Sequence, residues 1–180
     1  MNDDWFAVGE GELGPSHTAV VDIVRARART WPECRPGATA VLVFPPDEDD
    51  DGVDGRQPSG DAYDAAWDEA FDAGHAVVML IVDLRHRDRN LVVMTLGATV
   101  AGDRLFCSER NSSNYHPEPL TGITPLEATG TPEALGRIAA GWFEEIVTRS
   151  MIERDREPWP RTFVAKGTPL PPGHCWVRNP

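Results

Sequence analysis

Apolar positions recur along the chain with two periods, and the switches between them outline the elements. After Pro15 and Ser16, a candidate cap, Val20, Ile23, Val24 and Trp31 fall at helical spacing until Pro32, which predicts a helix over 16–31. Residues 38–44 form a short run rich in β-branched side chains, stopped by Pro45-Pro46, and read as a buried strand. From Asp47 to Gly60 there is almost no apolar content, so 45–60 is expected to be an acidic flexible loop. A second helix is expected over 61–73. Asp61 would be its N-cap, Tyr63, Ala66, Trp67, Ala70 and Phe71 would share one face, and Gly74 would close it.

The next run, 76–84, is nearly all apolar, as a strand covered on both faces must be. A charged turn over Arg85–Asn90, a strand over 91–100, a tight turn at Ala101-Gly102-Asp103 and a strand over 104–107 follow, which together read as an antiparallel meander. Periodicity lapses from Ser108 to Gly130. Thr131 and Pro132 then start a helix over 131–149 with an unbroken stripe of Leu135, Ile138, Ala139, Trp142, Phe143, Ile146 and Val147. The last stretch, 158–180, holds six of the sixteen prolines and is expected to be an irregular tail, with Phe163-Val164 and Trp176-Val177 as candidate edge strands. Helices and strands do not alternate as a parallel sheet demands. The expected fold is therefore α+β: a mainly antiparallel sheet packed by three amphipathic helices.

Composition narrows this further. A chain of 180 residues, 41% of them hydrophobic, is enough for one domain over 1–180 with a single core. Cys34, Cys107 and Cys175 are odd in number and unpaired in spacing, as reduced thiols are. The start Met-Asn-Asp-Asp shows no secretory pattern, and the longest apolar run is too short for a bilayer, so a cytoplasmic protein is expected. The abundance of Ala, Arg, Asp, Gly and Pro fits a high-GC bacterial genome. Trp31, Trp67 and Trp142 are expected in the core, while Trp5, Trp159 and Trp176 would anchor the termini or face a partner.

The formal net charge of −12 opposes contact with nucleic-acid backbones. Its distribution is more informative: residues 45–72 hold eleven acids and one arginine, so this segment carries nearly all of the net charge. Asp47, Glu48, Asp49, Asp50, Asp51, Asp54, Asp64 and Asp68 are the candidate contacts to a basic protein partner, because complementary fields accelerate association. The expected function is thus a non-catalytic binding or regulatory protein, of which an immunity or antitoxin-like protein is one form.

Motifs for chemistry are partial. Gly9, Gly11 and Gly14 spell Gly-x-Gly-x-x-Gly, but only eight residues precede them, and Glu10 and Glu12 put negative charge where a pyrophosphate would lie. Asp47 to Gly52 resembles the start of a calcium loop, but its twelfth position is Pro58 instead of Glu. Cys107, His116, His174 and Cys175 could meet at a zinc ion only if the tail folds back, so no metal or cofactor is expected. No catalytic constellation is assigned; Cys107 with His116 offers a thiol and a base, and His86 is a further imidazole. The alternative function is a small enzyme or anionic-ligand-binding protein. Its site would gather Arg85, His86, Cys107, Asn111, Tyr115 and His116, with Arg85, Arg87 and Arg89 as the anion ligands.

Overall fold

A computed structural model describes residues 4–31, 34–46, 62–118, 123–155 and 157–180. The elements run β1 (Ala7–Val8), α1 (Pro15–Ala28), a 3-10 turn (Pro36–Ala38), β2 (Thr39–Phe44), α2 (Ala62–Asp72), β3 (Val77–Arg85), β4 (Val92–Ala101), β5 (Arg104–Arg110), β6 (Leu126–Thr129), α3 (Pro132–Val147), β7 (Ser150–Arg154), β8 (Glu157–Val164) and β9 (His174–Arg178). The fold is α+β, as the sequence pattern implies. A central six-stranded sheet has the order β1-β2-β3-β4-β5-β6, antiparallel except where β1 runs parallel to β2.

β3 lies mid-sheet, and its residues alternate between two cores. Val78, Leu80, Val82 and Leu84 join α1 and α3, whereas Val77, Met79 and Ile81 join α2. That two-sided burial is why its sequence is almost uninterruptedly apolar. The meander is fixed by the pairs Val77↔Ala101 and Ala101↔Arg104, with Gly102 at φ 59 making the tight turn between β4 and β5.

Each helix follows from its ends and its apolar face. α1 is capped at Gly14 with Pro15 in the first turn, so Ser16 lies inside the helix and is not its cap; proline's fixed φ suits that first position. Gly74, at φ 72, closes α2: its N–H bonds the Phe71 carbonyl, and that of His75 bonds the Ala70 carbonyl. The expected cap Asp61 falls outside the described residues. In α3 the Thr131 side chain accepts the Ala134 N–H at 3.4 Å. Gly136 lets α3 close on α1, since a Cβ there would stand 3.1 Å from Ile23 and 3.2 Å from the Val20 Cα.

Trp31, Trp67 and Trp142 are buried, as expected; Trp31 lies just past the end of α1. Trp5 packs against the main core, and its neighbour Phe6, at φ 51, is buried beside Trp31 and Phe143. Arg25 secures this N-terminal stretch by donating to the Trp5 and Phe6 carbonyls at 3.1 and 2.9 Å.

The C-terminal tail departs from expectation. Rather than running irregularly, 158–180 supplies most of β8 and all of β9, which flank β7 in a second, three-stranded sheet of order β8-β7-β9. The candidate edges Phe163-Val164 and Trp176-Val177 are in these strands. Pro158 and Pro160 fall in β8, which lies at the edge of this sheet, the position to which proline is usually confined. Met151 and Val177 join the main core, and the Asn179 side chain donates to the Val147 and Arg149 carbonyls at the end of α3. Among the described residues, no helix is long and apolar enough to cross a membrane.

Candidate functional site

The charged turn between β3 and β4 is not a free hairpin tip. It docks on the second sheet, where the Arg87 N–H donates to the Val177 carbonyl at 3.0 Å and Arg178 Nη1 to the Arg85 carbonyl at 3.3 Å. At the centre of this seam is Glu153, only 1% exposed. Its carboxylate receives Arg161 Nε at 3.2 Å, Arg89 Nη1 at 3.0 Å and the Cys175 thiol at 3.8 Å. Arg161 also donates to the Val93 carbonyl at 3.0 Å, which ties β8 to the central sheet.

His86 is buried here. Its Nδ1 accepts the Asp88 N–H at 3.1 Å, so the ring hydrogen is assigned to Nε2, 3.5 Å from the Glu153 carboxylate and outside hydrogen-bond alignment. Burial and the Glu153 and Asp155 carboxylates push the Cys175 thiol up. The three arginines of the turn do not converge on one anion: Arg85 donates to Asn90 at 3.2 Å, Arg87 lies 3.4 Å from Asp88, and Arg89 serves Glu153. The turn is a clamp between two sheets.

Cys107 points the other way, into the core under α1 and α3, and is 1% exposed. Desolvation pushes its thiol up to about 12, while His116 is exposed in the loop after β5. A sealed, neutral thiol is no nucleophile near pH 7. Because this acid is harder to ionise in the folded state than at its ordinary value of 9.0, the unfolded chain releases the proton first as pH rises. Stability supported by Cys107 is therefore present below pH 9 and lost between pH 9 and about 12. The expected slope is at most about 1.4 kcal/mol per pH unit. Urea denaturation of wild type and Cys107→Ala across this range should show the wild type losing more; parallel curves would contradict it.

Asn111, Tyr115 and His116 do come together in that loop. The Asn111 N–H donates to the His116 carbonyl and the Tyr115 N–H to the Asn111 carbonyl, both at 2.9 Å, while the Asn111 side chain donates to Glu118 at 2.8 Å. Arg85 and His86 belong to the seam instead, so the six residues of the expected pocket do not form one site. His174 and Cys175 lie on β9, away from Cys107 in the main core, and no metal-competent group of three exists among the described residues.

The end of β5 is hidden in the sequence, where the expected strand stops at Cys107. The strand runs on through Ser108, Glu109 and Arg110, and Arg110 is buried on the α2 side. In register, Asp83, Thr95 and Arg110 form one row across three strands, and Thr95 donates to Asp83 at 2.8 Å. Arg110 leans away from that pair. It lies across Gly97, donates to the Thr99 hydroxyl at 3.0 Å and the Tyr115 carbonyl at 3.4 Å, and sits 4.8 Å from the centre of the Tyr63 ring.

The glycine motif does have a strand before it, a helix after it and a parallel strand beyond, contrary to the reading from its position in the chain. Its glycines serve the backbone: the Gly9 N–H donates to the Val41 carbonyl at 3.1 Å, and Gly11, at φ 99, has room for a Cβ only 3.0 Å from Val43. Of the acidic contacts, Asp64 and Asp68 lie on α2, half-buried and exposed respectively; Asp47, Glu48, Asp49, Asp50, Asp51 and Asp54, with the calcium-like loop, fall outside the described residues. In comparisons with family models, curated protein sequences and solved structures, none matches the chain.

Proposed function

We propose that the chain is a non-catalytic binding or regulatory protein of the bacterial cytoplasm, meeting a basic protein partner through the outer face of α2 and the acidic segment before it. An immunity or antitoxin-like protein is one form of this reading. The observation that carries it is where the charge sits on α2. Asp64, Asp68 and Asp72 recur every four residues, Glu69 adds a fourth acid, and the last turn has no base. Like charges at this spacing repel, and acids near a helix C-terminus oppose its dipole. Glu69 lies 3.3 Å from Arg104, but both are exposed, so the pair offsets little. Toward its C-terminal end the face is thus charged against the stability of its own helix, whereas Asp64 in the first turn suits the dipole; acids held at that cost are what a surface kept for a partner would carry.

Asp72→Asn is accordingly expected to stabilise the protein by about 0.3–1 kcal/mol in urea denaturation. The binding test compares wild type with the triple variant Asp64→Asn, Asp68→Asn, Asp72→Asn as immobilised bait in bacterial lysate. A basic protein held by wild type, released by salt and lost by the variant is the expected result. Equal recovery by both baits would overturn the proposal.

A further inference from the structure

We propose that Arg110 is the anchor of a binding site for a small oxyanion, a carboxylate or phosphate group, on the α2 side of the central sheet. Arg110 is 3% exposed, yet among the described residues no carboxylate lies within ion-pair distance of it. Its oxygen partners are the Thr99 hydroxyl, the Tyr115 carbonyl and the Tyr63 side chain, none of them a carboxylate, and its Nε is buried without an acceptor. A guanidinium has five N–H donors, so this one has capacity left. Elsewhere the same chain supplies a buried guanidinium with a carboxylate, as Glu153 does for Arg161 at 3.2 Å.

A buried cation without a counter-charge is costly, and an anion that reaches it gains what the protein withholds. The cost is visible in the direction of titration, since desolvation pulls the Arg110 pKa below its ordinary value. The nearest acid in its row, Asp83, is taken by Thr95, and Arg110 runs along β4 away from both. Gly97 makes that course possible, because a Cβ there would stand 2.7 Å from Arg110 Cγ and Nε. The Tyr63 ring supports the guanidinium from α2 by a cation–π contact. The longest of its hydrogen bonds, 3.4 Å to Tyr115, is the one an incoming oxyanion would displace; Tyr115 sits at φ 58 in the loop after β5.

Titration calorimetry with inorganic phosphate and, separately, with acetate at constant ionic strength tests the site on the full chain. Saturable binding of at least one is expected, weakened at least about tenfold (about 1.4 kcal/mol) in Arg110→Met. Phosphate alone would point to a phosphate ester and acetate alone to a carboxylic acid. A second variant, Thr99→Asp, puts a carboxylate where the guanidinium already donates. It should melt higher than wild type and bind neither anion. No saturable heat from wild type would overturn the proposal, as would undiminished binding by either variant that folds.

Discussion

Replacing Glu153 by Gln is expected to lower the free energy of unfolding by about 3–5 kcal/mol, the usual cost of stranding a buried charge. Two arginines meet at that carboxylate, and their exposure separates their contributions. Arg89 is half exposed and can turn to water when its partner is lost, so its contact contributes little. Arg161 has a side chain 2% exposed and is bound to the Val93 carbonyl, so unlike Arg89 it cannot simply turn to water. The deficit should therefore track Arg161. Removing both charges with Glu153→Leu and Arg161→Leu should recover much of the loss, because an apolar pair of similar volume often replaces a buried ion pair at little cost. Urea denaturation with tryptophan fluorescence measures both variants, and a loss under about 1 kcal/mol for Glu153→Gln would show that the seam holds by other means.

Phe143→Ala is the second large effect, with an expected loss of about 3–5 kcal/mol. Phe143 is fully buried on α3, its ring centre 6.2 Å from Phe6, 5.8 Å from Trp31 and 5.4 Å from Trp142. Three segments meet there: the N-terminal stretch, the turn after α1, and α3 itself. Truncation leaves a cavity between parts that cannot all move inward, since α1 and α3 already touch through Gly136. Phe143→Leu should lose distinctly less. A cost for Phe143→Ala below about 1 kcal/mol would mean that the cluster collapses freely.

The apolar elements were legible and the charged ones were not, for one physical reason. The run from Val77 to Leu84 and the stripe on α3 announce themselves because each buries hydrocarbon with a fixed period. β7, Ser-Met-Ile-Glu-Arg, buries Glu153 along with Ser150, Met151 and Ile152, and a charge there reads as surface until Arg161 is found beside it. β5 looked finished at Cys107 because Glu109 and Arg110 are charged, yet both are buried. A buried charge is disguised in sequence, since only its partner explains it and the partner comes from elsewhere in the chain.

The candidate sites follow the same division. The arginines of the β3–β4 turn stand out in sequence by their density, yet the structure gives each a separate neighbour. Arg110 stands alone in sequence. Its interest comes from Gly97 across the strand pair and from the absence of an acid within reach among the described residues, and neither is visible before the register is known.

The clamp between the sheets also has a place in time. The β3–β4 and β4–β5 hairpins close on neighbours, whereas Arg161 reaches Val93 across 68 residues of chain and Arg178 reaches Arg85 across 93. Contacts of such separation carry a larger loop-closure cost and form after local ones. The meander can thus assemble while His86 and Arg89 still stand in water, and Glu153 arrives to find them already in position. Loss of that carboxylate is therefore expected to speed unfolding more than it slows assembly.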